Sequence, residues 1–224
     1  MEKYQNINII YEDNHLLIVK KEANIPVCSD SSKDKDLLTL LKEYLKTKYQ
    51  KTGNVYLGLI HRLDRPVEGI IVFAKTSKAA SRLSEQIRTN KFQKTYYAVV
   101  ENTPKKEDTL IDYLYKDEKN NTSYVTNEKK GKKSILEYKL INTKNSLSLI
   151  KINLLTGRHH QIRVQFSSRG YPLYADHKYN KKFINNNKEN IALIAKELSF
   201  YHPTTKELLT FSIDLPKNYP YNLF

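Results

Sequence analysis

The sequence predicts an α+β fold with a mixed, largely antiparallel central sheet and flanking helices. Segments of strand character outnumber those with helical spacing. They also run in blocks and do not alternate with helices, which argues against a parallel βαβ sheet. No repeat and no Pro/Gly/Ser-rich linker divides the 224 residues, so residues 1–224 read as a single domain.

The elements follow in order. Apolar runs at 7–11 and 16–20 flank Glu12-Asp13-Asn14, a hairpin signal. Between 36 and 49, Leu37, Leu40, Leu41, Tyr44 and Leu45 recur at helical spacing. The run 70–74, bounded by Gly69 and Lys75, reads as a buried strand. Thr76 or Ser77 then caps a helix whose apolar face is Ala80, Leu83 and Ile87. Residues 95–100, rich in Tyr and Val, read as a strand, as do 109–115, 122–126, 134–141 and 146–154. A basic turn occupies 127–133. Thr156-Gly157 opens a helix from about Arg158 to Ser168, stopped by Gly170 and Pro172. Strands at 191–195, 197–201 and 208–213 close the chain around a His202-Pro203-Thr204 turn.

Composition narrows the function. The formal charge is +14, from 38 Lys and Arg against 24 Asp and Glu. Residues 61–100 carry a net +5 and residues 151–224 a net +6, whereas compositional drift would spread the charge evenly. Clustered Lys and Arg suit a polyanionic partner, because neutralised phosphates release counterions. Cys28 is the sole cysteine, which excludes an internal disulfide and any Cys-rich zinc module. The spacing of the six His fits no zinc motif, because His159 and His160, adjacent on a helix, would point to different faces. No Gly-rich phosphate loop is present. No apolar run reaches the ~18 residues that span a bilayer. Residues 1–8 are polar and lack a signal-peptide core, so the expected compartment is the cytoplasm and the expected state a monomer away from membranes.

Two clusters could carry chemistry. The first is His61-Arg62-Leu63-Asp64-Arg65-Pro66, a charged loop between apolar runs and followed by Gly69. Asp64 sits between two guanidinium groups and is expected to be ionised. A carboxylate in a phosphate-binding cleft repels its ligand, so it needs a reason to be there, such as nucleophilic or acid–base work. A surface ion pair is the plainer alternative. The second cluster is Thr156-Gly157-Arg158-His159-His160-Gln161-Ile162-Arg163. On a helix capped by Thr156, His160 and Arg163 share a face and Arg158 lies in the first turn, making an anion site. Tyr96, beside Lys94 at a strand start, either stacks on an extruded base or packs as an ordinary core ring.

These blocks together resemble the RluA-type pseudouridine synthases. His61-Arg62-Leu63-Asp64 with Gly69 and Phe73-Ala74-Lys75 is similar to that family's H-R-L-D…G…A-K block. Lys94-Thr95-Tyr96-Tyr97-Ala98 resembles its K-x-Y-x-A segment. Thr156 to Arg163, with Gly170, Pro172, Asp176 and Tyr179, resembles T-G-R-x-H-Q-I-R…G-x-P…D-x-x-Y. Leu193, Ala195, Leu198, Phe200 and His202-Pro203 resemble its closing L-x-A-x-x-L-x-F-x-H-P stretch. The match runs over about residues 9–216. The resemblance implies a catalytic cleft between two lobes and isomerisation of uridine in ribosomal or transfer RNA. It implies Asp64 as the catalytic carboxylate, and Arg62 displacing and replacing the flipped nucleotide. It further implies Tyr96 stacking on the base and assisting proton transfer, Arg163 paired with Asp64, and Leu193 lining the pocket. His61, Leu63, Arg65, Arg158, His160 and Gln161 would surround the RNA. Attack at C1′, attack at C6 and assisted glycal formation are all compatible with these residues. Neither metal nor organic cofactor is implied. Relatives often carry an N-terminal S4 module, and this chain reads as the short form without one.

The sequence departs from the pattern in four places. Val67-Glu68 replace a Thr-Ser pair, Gln165 replaces a His, Ala175 replaces a Gly, and Lys20-Lys21-Glu22-Ala23-Asn24 replaces a hairpin end written K-P-x-G. Asn24 can still take a positive φ. Two other readings compete: a catalytically idle RNA-binding protein of the same fold, and a ribonuclease using His61 and His160 as acid and base.

Overall fold

A computed structural model of the chain describes residues 7–30, 34–184 and 189–224. Residues 1–6 of the polar leading stretch lie outside them. The elements are β1 (Asn8–Glu12), β2 (Leu16–Lys21), α1 (Leu37–Lys48), β3 (Gly58–Leu59), β4 (Glu68–Ala74), α2 (Ser77–Arg88), β5 (Gln93–Glu101), β6 (Glu107–Asp117), β7 (Thr122–Thr126), β8 (Lys132–Lys144), β9 (Leu147–Leu154), α3 (Gln161–Ser167), β10 (Leu193–Tyr201) and β11 (Leu208–Ser212). This is the expected α+β class, strand-rich with few helices. The chain forms two compact units, one of Met1–Gln93 with Glu197–Ile213 and one of Lys94–Lys196 with Asp214–Phe224.

In the first unit, β2 pairs antiparallel with β1 and with β4, and β3 adds to β4. β11 pairs antiparallel with β10. The β1–β2 turn is set by Asp13, whose Oδ1 accepts from His15 N at 2.7 Å and Leu16 N at 2.6 Å. This side chain supplies the turn's hydrogen bonds itself, as Asp commonly does. Residues 16–19 of β2 and 70–74 of β4 are fully buried, so both read as unbroken apolar runs. Their Leu16, Ile18, Ile70 and Val72 pack with Leu83 of α2 and with Phe92, Leu198 and Phe200. The Phe92 and Phe200 rings stack at 5.0 Å. α1 starts at Asp36, whose Oδ1 accepts from Thr39 N at 2.9 Å. α2 starts at Thr76, whose Oγ1 accepts from Ala79 N at 3.1 Å. Each cap satisfies an otherwise orphaned helix N–H.

The second unit is an antiparallel sheet in the order β5-β9-β8-β6-β7. α3 lies over β6 and β7 and buries Ile162, Val164 and Phe166. The Phe166 ring meets Tyr138 edge-on at 5.1 Å.

Two expectations need correction. The strands read at 191–195 and 197–201 are one strand, β10, because no residue between them breaks the extended run. The helix expected from Arg158 starts at Gln161, because His160 takes a left-handed φ of 53° and stops the helix from extending further back. Thr156 and Arg158 therefore belong to a loop, and Thr156 does not cap the helix. Its Oγ1 bonds to Gln161 Oε1 at 2.8 Å instead. The seven-residue α3 is also too short for the anion site expected at its N-terminus.

Candidate active site

The first unit holds the His61–Arg65 cluster between β3 and β4. Leu63 and Val67 are buried and anchor the loop, while Asp64 and Arg65 are half-buried and Arg62 is exposed. Val67 N donates to Asp64 O at 3.0 Å, closing a tight turn around Pro66. Proline fixes the φ that this turn needs. Asn24, with φ 67°, donates its N–H to Arg65 O at 2.8 Å. The turn ending the first hairpin thus survives the loss of its usual glycine. Arg65 pairs with Asp30 at 3.3 Å and also with Asp34. His61 Nε2 accepts from Val72 N at 3.3 Å, and its ring lies 5.5 Å from Phe92. Arg62 makes no hydrogen bond or ion pair with any described residue. Glu68 lies 3.5 Å from Lys20 Nζ, so part of its charge is neutralised locally.

The loop is held by a residue that the sequence gave no reason to single out. Lys21 is 0% exposed, and its Nζ donates to Glu22 O at 2.9 Å, Ile25 O at 2.8 Å and Arg65 O at 2.9 Å. Burial pulls its ammonium down to about 8, and the charge of Asp64 works against that fall. Lys21 therefore ties the β2 end to the Asp64 loop and supplies a positive charge beneath it. Lys21→Met is expected to leave the Glu22 and Ile25 carbonyls without a donor, at about 1–3 kcal/mol for each one left unsatisfied, while Arg65 O keeps the Asn24 N–H. Thermal denaturation should show a lower Tm and steady-state assays a lower kcat. An unchanged Tm and kcat would remove Lys21 from this role.

The second unit holds Tyr96, Arg158, His160, Gln161, Arg163 and Leu193. Tyr96 is 5% exposed on β5, opposite Ile152 of β9. Leu193, 4% exposed, begins β10. Arg163 and Asp176 are 3% and 0% exposed and form a two-pronged ion pair, Nε to Oδ2 at 2.8 Å and Nη2 to Oδ1 at 2.7 Å. Asp176 Oδ1 also accepts from Lys178 N at 2.9 Å and Tyr179 N at 3.2 Å. Bidentate pairing fixes the guanidinium plane, and the Arg163 headgroup lies 5.1 Å from the Tyr179 ring centre. Ala175, next in the chain, takes φ 55°. Glycine adopts that region without strain, which accounts for the glycine of the family pattern at this position.

Tyr179 organises the histidines. Its hydroxyl accepts from Ser123 N at 2.7 Å and shares a second hydrogen bond with His160 Nδ1 at 2.8 Å. Burial, then the Arg163 charge, push His160 down to about 2, so the ring is neutral. It cannot serve as the acid of a ribonuclease pair near neutral pH. His159 and His160 do not diverge on a helix as expected: both precede α3, and their rings stack at 3.7 Å. His159 Nδ1 meets Ser123 Oγ at 2.8 Å. Gln161, 3% exposed, accepts from Thr156 Oγ1 at 2.8 Å and Arg158 N at 3.0 Å and donates to Gln165 Oε1 at 3.0 Å. Gln165 continues to Asp112 Oδ2 at 2.7 Å. Gln165 thus links the loop to β6. Arg158 points its Nε at Lys133 O, 3.1 Å away. Asp176 and Tyr179 belong to the family pattern without a role read from it, and Lys21 was left unmarked, because each acts on partners well away in the chain.

A family model described as RNA pseudouridylate synthase matches residues 15–168. An uncharacterised RNA pseudouridine synthase of Aquifex aeolicus is 33% identical over 95% of this chain and 71% of its own length. Ribosomal large subunit pseudouridine synthase C of Buchnera aphidicola subsp. Baizongia pistaciae is 34% identical over 93% of this chain and 68% of its own. Among solved structures, Human RNA Pseudouridylate Synthase Domain Containing 4 superposes with a TM-score of 0.77 at 20% identity, covering 94% of this chain and 89% of that one. That last likeness is one of fold.

Proposed function

This chain belongs to the RNA pseudouridylate synthase family and is of the RluA type, and on that premise we propose that it converts specific uridines of structured RNA to pseudouridine through Asp64. We read the 224 residues as one catalytic domain. The observation that supports Asp64 best is its loop: a half-buried carboxylate on a turn tied down by Lys21, Asn24 and Val67. A preorganised charge of this kind costs no reorganisation when the reaction starts.

In the proposed reaction the N1–C1′ bond of uridine breaks, the base turns, and C5 bonds to C1′. The C5 proton leaves to solvent and N1 ends protonated, so no oxidant, reductant or cofactor is needed. Asp64 supplies the carboxylate that assists glycosidic cleavage. Arg62, exposed and without a described partner, takes the place of the extruded nucleotide in the RNA. Tyr96 offers its ring to the flipped base and its hydroxyl to the proton movement at C5. Arg163, its guanidinium plane fixed by Asp176, orients the Asp64 carboxylate. His61, Leu63, Arg65, Arg158, His160, Gln161 and Leu193 surround the RNA. Relatives named as ribosomal large subunit pseudouridine synthases C and D put ribosomal RNA ahead of transfer RNA as the substrate to test.

The test is tritium release from ribosomal-RNA and transfer-RNA transcripts that carry 5-tritiated uridine. Release from one pool names the substrate class. Tight binding of both pools without release from either would support the idle RNA-binding reading.

A further inference from the structure

Lys94 stands out once every charged group has been matched to its partners. It is 7% exposed, and no acceptor among the described residues lies within hydrogen-bonding reach of its Nζ. The other deeply buried cations are satisfied, Lys21 by three carbonyls and Arg163 by Asp176. Burial alone pulls the Lys94 ammonium below the ordinary lysine range, with no neighbouring charge to oppose it. An uncompensated buried cation destabilises a fold. An anionic ligand would offset that cost.

Its surroundings indicate the ligand. Lys94 Nζ lies 3.6 Å from the point where a side chain on Gly157 would begin. Gly157 is exposed, so in that direction only an absent side chain separates the ammonium from the surface. The Gly157 N–H also makes no hydrogen bond with a described residue. Two residues along β5, on the same face by strand alternation, is Tyr96. A lysine ammonium close to a glycine whose N–H bonds to no described residue offers two donors to a phosphate oxygen. Tyr96 beside them offers a ring to a base.

We propose that Lys94 and the Gly157 N–H bind a backbone phosphate of the RNA next to the uridine held at Tyr96. The proposal rests on the function given above. It adds a substrate-binding residue at a lysine that no described side chain or carbonyl pairs.

The test compares wild type with Lys94→Met and Gly157→Val, using filter binding and tritium release on the RNA pool to which wild type responds. Lys94→Met keeps the length of the side chain and removes its charge; Gly157→Val keeps the charge and covers it. Both are expected to weaken RNA binding roughly ten- to a hundredfold, the range for a hydrogen bond to a charged group. Lys94→Met should also flatten the slope of log affinity against log salt by about one phosphate. Its Tm should stay close to that of wild type, because no hydrogen bond or ion pair within the protein is lost. Wild-type affinity and salt slope in Lys94→Met would overturn the proposal, as would a lower Tm with unchanged binding. Absence of tritium release by wild type would instead overturn the function itself.

Discussion

Asp64→Asn is expected to abolish isomerisation, with a fall in kcat on the order of 10⁴–10⁶, the scale seen when a reacting group is removed from a preorganised site. The amide has the volume of the carboxylate and can keep neutral hydrogen bonds, so the loop should stay folded. Its backbone ties run through Asp64 O, Arg65 O and Lys21 Nζ, none of which the substitution touches. RNA affinity should remain within a few-fold of wild type, or rise, because a negative charge facing phosphate has been removed. Kinetics with saturating RNA separate the two effects. Retained turnover would refute the role of Asp64, and loss of folding by circular dichroism would make its role structural.

Arg163→Ala has the second large effect, and it acts on stability as well as turnover. It leaves Asp176 at 0% exposure with two backbone donors and no countercharge. Breaking a buried pair on one side costs about 3–5 kcal/mol. At roughly 2–4 °C per kcal/mol for a chain of this size, Tm should fall by about 6–20 °C. The double variant Arg163→Met with Asp176→Asn separates fold from function. With both charges gone, most of the stability should return, because a neutral buried pair has little left to desolvate. If Arg163 orients the Asp64 carboxylate, activity stays low in this refolded variant. Wild-type turnover there would confine Arg163 to a structural role.

Local signals predicted local structure well. Asp36 and Thr76 cap the helices expected after them, and the β1–β2 hairpin turns at Asp13. These depend on neighbours three residues away or fewer. The start of α3 differs from the expectation because His160 adopts a left-handed φ, which is uncommon outside glycine and which helical spacing does not signal. The motif residues His61–Asp64, Tyr96 and Arg163 were visible as blocks of unusual chemistry. Their supports were not. Lys21 looks like one more basic residue at a strand end until its three carbonyls are seen, one of them 44 residues away. Asp176 is a motif position without a role until Arg163 reaches it. Lys94 is the converse case, where the informative fact is a missing partner that only coordinates can reveal.

The account turns on Asp64-dependent formation of pseudouridine. The direct measurement is nucleoside chromatography of digested ribosomal RNA after incubation with excess wild-type protein or excess Asp64→Asn. Pseudouridine gained over untreated RNA with wild type, and none gained with the variant, is the predicted result. Equal pseudouridine from both proteins, or none from wild type despite RNA binding, would contradict it.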